Sequence, residues 1–184
     1  APGVNFHYNS SDLETDADSF ANYYLYLTAS SFDATGDDIW FTRSTDMGAT
    51  WETGYRVAND TDTDDIDFIT PRLSFGYDGN IHLAYLRYDR NLSVGLEILY
   101  QRAGNYAGAG AASWDEPVTL FSATGNEDVR ISALEASKGD GTVLAHLVDL
   151  SDYVIVGSRL LWSADDGATW PAANEVATGV AAPY

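Results

Sequence analysis

The sequence predicts an all-β fold, a partial β-propeller of about three four-stranded antiparallel blades, and three observations predict it. Runs rich in aromatic and β-branched residues are separated by Asp, Gly and Asn turns, a pattern that favours strands over helices. The tryptophans Trp51, Trp114 and Trp170 recur at spacings of 63 and 56 residues, and a period of that size marks a repeated structural unit. The string from Ser44 to Trp51 also returns, almost unchanged, from Ser163 to Trp170.

The first unit, 1–60, opens on the extended stretch Val4 to Tyr8 and continues into a polar, acidic insertion through Ser19. Tyr23 to Thr28 is its second strand, Asp33 to Asp38 a turn, Ile39 to Arg43 the third strand and Tyr55 to Ala58 the fourth. The second unit, 68–122, starts at Pro71 to Phe75, turns through Tyr77-Asp78-Gly79-Asn80 and returns from Ile81 to Leu86; Asp-Gly between alternating runs is a strong hairpin signal. Glu97 to Arg102 is its third strand, and Val118 to Phe121 closes it. The third unit, 127–178, repeats the plan with Val129 to Leu134, a Gly139-Asp140-Gly141 turn, Val143 to Val148, Ser158 to Trp162, and Glu175 to Ala177.

Each copy of the repeated string reads as a self-fastened turn. The carboxylates of Asp46 and Asp165 can fold back on following N–H groups, while Gly48 and Gly167 stand where a tight turn needs positive φ. Thr50 and Thr169 resume the strand, and Trp51 and Trp170 supply an apolar plate beneath it. In the second unit the string has decayed: 104–114 keeps Trp114 and loses the aspartate.

The pattern S-x-D-x-G-x-T-W is that of the Asp box, and through it the chain resembles the sialidase-like, or BNR-repeat, β-propellers. The resemblance implies that each box joins the third and fourth strands of a blade as a structural device on the rim. Ser44, Asp46, Gly48, Thr50, Trp51, Ser163, Asp165, Gly167, Thr169 and Trp170 are accordingly expected to hold turns.

Composition narrows the function classes. Against 28 acidic residues stand 9 basic ones, a formal net charge of −19, which opposes nucleic-acid binding through phosphates. Such acidity suits a solvated surface in a salty setting, or clustered carboxylates that hold calcium. With no cysteine, disulfides and thiolate metal sites are excluded, and no apolar run of about 18 residues could span a membrane. Three sequons begin at Asn9, Asn59 and Asn91.

Several groups could carry chemistry. Arg72 and Arg130 fall at matching places on the first strands of their units, with Gly3-Val4-Asn5 at the corresponding place in the first. Arginine forks bind carboxylates at two points, and the resemblance implies three such arginines around a substrate carboxylate. It also implies a tyrosine nucleophile with acidic partners, for which Tyr85, Tyr88, Asp89 and Glu97 are the nearest candidates. Asp60, Asp62 and Asp64 alternate in the densest acidic run and are the expected calcium ligands, against a merely solvated loop. Asp12, Glu14, Asp16 and Asp18 form a looser cluster of the same kind. His82 and His146 occupy matching strand positions, which suggests a shared packing role.

Ala1-Pro2-Gly3 reads as a mature N-terminus or a boundary, and 182–184 stand where a fourth unit would begin. Three blades leave open strand edges, so missing blades or other protein chains are expected there; two copies would supply six blades. The expected role is an extracellular, non-catalytic module for protein or glycan binding or an assembly scaffold. The rival is part of a sialidase-like glycoside hydrolase whose other blades complete the site.

Overall fold

The computed structural model describes residues 5–16, 24–32, 37–58, 65–76, 79–104, 113–124, 128–151, 154–172 and 174–179. Twelve strands form three four-stranded antiparallel sheets, a partial propeller whose sheets do not close on one another. Blade 1 is β1 (Asn5–Asp16), β2 (Tyr24–Phe32), β3 (Asp37–Ser44) and β4 (Tyr55–Ala58), paired in that order. Blade 2 is β5 (Ile66–Phe75), β6 (Ile81–Asp89), β7 (Val94–Ala103) and β8 (Val118–Ser122), and blade 3 is β9 (Asp128–Ala136), β10 (Val143–Ser151), β11 (Val154–Ser163) and β12 (Glu175–Gly179).

One expected element is corrected. The acidic stretch after Tyr8 is no insertion, since β1 runs on to Asp16 and pairs Asp12 with Thr28 and Asp16 with Tyr24. The alternation of Asp12, Glu14 and Asp16 is the strand's own two-residue period, and an irregularity between Phe6 and Ser11 absorbs the change of register.

Both box turns hold themselves in the same way. Ser44 Oγ donates to Asp46 Oδ1 (2.8 Å) and accepts from Gly48 N–H (2.7 Å), while Thr50 N–H (2.8 Å) and Thr50 Oγ1 (2.6 Å) donate to the Asp46 carboxylate. In the second turn the corresponding distances are 2.6, 2.9, 2.9 and 2.7 Å around Ser163, Asp165, Gly167 and Thr169. Hydrogen bonds from the Thr50 side chain hold the Asp46 carboxyl below its ordinary range, and those from Ser163 do the same for Asp165. In each turn the residue before the glycine, Met47 (φ 59°) or Asp166 (φ 58°), is itself left-handed. The decayed turn of blade 2 retains its closing contact: Asp115 N–H donates to Arg102 carbonyl at 2.7 Å, as Glu52 N–H donates to Arg43 carbonyl at 2.8 Å.

The strand period divides the core in two. Leu83, Tyr85 and Ala103 of blade 2 face blade 1, where they meet Ile39 and Phe41; Ala84, Leu86, Ile98 and Tyr100 face blade 3, where they meet Ile131, Ala145 and Leu147. The closing tryptophan of each later blade rests on the third-strand aromatic of the blade before it. Trp114 meets Phe41 at 5.4 Å and 80°, and Trp170 meets Tyr100 at 5.0 Å and 69°. Edge-to-face pairs of this kind add about 0.5–1.5 kcal/mol beyond the area they bury.

Candidate functional site

The first strands lie side by side, β1 against β5 and β5 against β9, so they form the inner wall of the partial ring. Side chains on this wall tie successive blades together. Asp12 Oδ2 accepts from Leu73 N–H at 2.9 Å, Ser74 Oγ accepts from Ala136 N–H at 2.9 Å, and Arg72 Nε donates to the Ser132 carbonyl at 3.1 Å. Arg72 also donates through Nη1 to the Pro71 carbonyl at 2.9 Å.

Arg72 emerges from a distorted stretch of β5. The register slips between Ile69 and Arg72, and Thr70 sits at φ 50°, where a β-branched side chain is strained. Its Oγ1 is buried without a hydrogen-bond partner. Such bulges re-aim the side chains that follow them.

The strand register corrects two equivalences. Arg72 pairs with Ala84, three rungs from the hairpin, whereas Arg130 pairs with Val148, five rungs along; Ala133 holds the place of Arg72 in blade 3. In blade 1 that place belongs to Asp12, not to 3–5, because Asp12 pairs with Thr28 as Arg72 pairs with Ala84. His82 likewise sits on the rung of Leu144, and His146 on that of Ala84. Counted back from the hairpin ends Phe75 and Ala136, Arg72 is three residues along its strand and Arg130 six, so the likeness of Arg72-Leu73-Ser74 to Arg130-Ile131-Ser132 is one of string and not of position.

The other predicted residues scatter. Arg130 donates to Asp128 Oδ2 at 3.0 Å and lies over Tyr88, its guanidinium carbon 5.0 Å from the ring centre. Tyr85 is fully buried, its hydroxyl donates to Gln101 Oε1 at 2.8 Å, and burial pushes its pKa well up. It lies in a cleft of about 380 Å³ between blades 1 and 2, which Ala58, Phe68, Gln101 and Trp114 also line. Glu97 pairs with Arg87 at 3.1 Å, and Asp89 accepts from Leu92 N–H at 3.0 Å.

Asp60, Asp62, Asp64 and Asp18 lie outside the described residues. At the end of the acidic run, Asp67 accepts from Asp37 N–H (3.1 Å) and pairs with Arg90 (3.2 Å), so its carboxylate joins blades 1 and 2. Among the described residues no cluster of three or more His, Cys, Asp or Glu could hold a metal ion.

A polar network that sequence reasoning missed lies where the second box turn meets blade 2. The Asp166 carboxylate accepts from Asn80, and its carbonyl accepts from Arg102 Nη1 at 3.1 Å. His82 is buried with Nδ1 2.7 Å from the Tyr100 hydroxyl. Its Nε2 comes within 3.3 Å of Asp166 Oδ1 without a hydrogen bond. Burial, reinforced by the Arg102 charge, lowers the His82 pKa to about 4, so the ring is neutral at pH 7 and this contact is no ion pair there. Burial also raises the pKa of Asp166. Asp166 occupies a variable place in the box, so the motif carries no signal for it.

With this geometry in place, solved structures supply the parallel. The sialidase of Trypanosoma rangeli in complex with the inhibitor DANA matches 90% of this chain with 30% of its own, at a TM-score of 0.63 and 16% identity. The NanB sialidase of Streptococcus pneumoniae, in complex with a chlorobenzylammonio ethanesulfonate, matches 97% with 44% of its own, at 0.64 and 10%. The fold is that of a sialidase-like propeller. The T. rangeli enzyme in complex with sialic acid matches similarly, with 93% of this chain covered, a TM-score of 0.56 and 17% identity. The chain thus spans 30% to 44% of the length of the first two sialidases. No protein-family model matches it, and no curated protein is similar to it.

Proposed function

We propose that this chain acts outside the cell as a non-catalytic, sialidase-like binding module that holds the carboxylate of an acidic glycan at Arg72. One observation carries the reading. Seven of the eight arginines pair with an Asp or Glu, and among the described residues Arg72 alone does not. Its fixed contacts are neutral carbonyls, which leave the guanidinium charge uncompensated on the inner wall of a chain with 28 acids. A carboxylate is the partner that such a fork accepts best. The strain at Thr70 agrees, since sparsely populated backbone conformations gather at binding sites.

Titration calorimetry with a sialylated oligosaccharide, and with the same oligosaccharide lacking the acidic sugar, tests the reading. Binding of the acidic form alone, weakened about tenfold or more by Arg72→Gln and only partly kept by Arg72→Lys, is the expected result. Equal binding of both forms, or an Arg72→Gln variant that binds as well as the parent, would sink it.

A second reading is favoured by the solved sialidases: the chain as part of a glycoside hydrolase completed by further blades. Tyr85 does not serve that reading as nucleophile, because its hydroxyl is buried on Gln101. Release of a chromophore from a synthetic sialoside by the protein as isolated from its source, abolished by Arg72→Gln, would move the assignment to hydrolysis.

A further inference from the structure

The join between blades 1 and 2 is packed differently from the join between blades 2 and 3. Counted back from the ends of the third strands at Ser44, Ala103 and Ser163, Ile39 and Ile98 hold the same place, and so do Leu99 and Arg159. Ile98 pairs with Phe121 on β8, and Ile39 pairs with Ala58 on β4. Between blades 2 and 3, Arg159 lies over Phe121, its guanidinium carbon 4.4 Å from the ring centre, and donates to Asp149 and Glu175, each at 3.1 Å. Between blades 1 and 2 the same places hold Leu99 and Ala58. A cation and an aromatic ring are missing together, and the cleft of about 380 Å³ opens where they are missing, lined by Ala58 and Leu99. Its volume lies within the range of small-molecule sites.

The rest of the lining indicates what fits. Phe68, Tyr85 and Trp114 give it aromatic surface, the first two with rings edge to face at 5.7 Å. The polar groups of this wall are spent on one another. The Tyr85 hydroxyl donates to Gln101, Gln101 Nε2 donates to the Asp115 carbonyl at 2.9 Å, and Trp114 Nε1 donates to the Tyr55 hydroxyl at 3.1 Å. A sugar, with a hydroxyl on most of its carbons, would give up water there without new partners. The charged residues of the lining are Asp115 and Glu116, both exposed and both acidic. Asp115 pairs with Arg102 at 3.3 Å, whereas Glu116 has no cation among the described residues.

We propose that this cleft binds a small aromatic amine, whose ring takes the place that Phe121 fills in the next join and whose ammonium meets Glu116 at the rim. The apolar body is held by burial against Ala58, Leu99 and the three aromatic side chains, and the acidic rim selects the sign of the charge. The site goes beyond the reading of Arg72 and does not depend on it.

Titration of the isotope-labelled chain with phenethylamine, followed by nuclear magnetic resonance at the Trp114 indole N–H and the Gln101 side-chain amide, is the test. Saturable shifts of both, with a Kd of about 1 mM or below, are expected for a ligand of so few atoms. Phenylpropionate, with a similar body and a negative charge, and ethylamine, with the charge and no ring, should leave both signals in place at about 10 mM. Ala58→Phe rebuilds the packing that Phe121 already makes in this chain, so it should keep the fold and abolish the shifts. Glu116→Gln, at an exposed position, should raise the Kd about threefold. The absence of saturable shifts with phenethylamine, equal shifts with either control compound, a folded Ala58→Phe variant that still binds, or a Kd unmoved by Glu116→Gln would overturn the proposal.

Discussion

In the turn from Ser163 to Trp170, Gly167 lies so close to the Tyr100 hydroxyl that a Cβ would collide with it, Trp170 covers the Tyr100 ring, and Asp166 meets Asn80 and Arg102. In the turn from Ser44 to Trp51 the same serine, aspartate and threonine make the same hydrogen bonds, yet Met47 and Trp51 remain exposed. Fastening and docking are therefore separate properties of one motif. The first is local and belongs to the eight residues; the second depends on the blade alongside.

The difference can be broken at the tryptophans. Trp170→Ala should cost about 4 kcal/mol in urea unfolding, the usual loss for a large core side chain, whereas Trp51→Ala should cost under about 1 kcal/mol. Equal losses would mean that docking adds nothing to the second turn.

Acid should act on the docked turn next. His82 is neutral in the fold, with a pKa of about 4, and returns to about 6.5 on unfolding. Between those values the unfolded chain binds the extra proton. Stability is then whole above about pH 6.5 and falls as the pH drops towards 4, by up to about 3 kcal/mol from this group. Asp166, with its pKa raised, works in the opposite sense and trims the loss. Unfolding curves of His82→Gln should lose most of this slope, and a parent slope unchanged in the variant would assign it elsewhere.

The smallest effect sharpens the comparison from the other side. Ser44→Ala and Ser163→Ala each remove one buried hydroxyl that serves both the aspartate and a glycine N–H. Each should cost about 1–2 kcal/mol, and the two should agree, because the fastening is the same in both turns. A much larger loss at Ser163 would show that docking and fastening are coupled.

The fold was legible because its signals are short-ranged. Asp78-Gly79 and Gly139-Asp140-Gly141 mark the hairpins that precede β6 and β10, and the three tryptophans mark the blades. What stayed hidden at the candidate site is the register of each first strand on its partner. Arg72-Leu73-Ser74 and Arg130-Ile131-Ser132 look equivalent as strings, yet Arg72 pairs with Ala84 and Arg130 with Val148, two rungs apart in space. The alternation at Asp12, Glu14 and Asp16 suits ion ligands and strand faces equally, and only pairing with β2 separates the two.

The sequence by itself determined the blade repeat, the strand order within each blade and the turns that fasten themselves, since all of these rest on residues within a few positions of one another. Tertiary structure alone decided which carboxylate meets which arginine. It left Arg72 on neutral carbonyls, buried His82 beside Tyr100, and exposed Leu160 where Phe41 and Tyr100 are covered. Those outcomes depend on contacts between blades some 60 residues apart in the chain, such as Arg72 with Ser132, and no local pattern encodes such a distance.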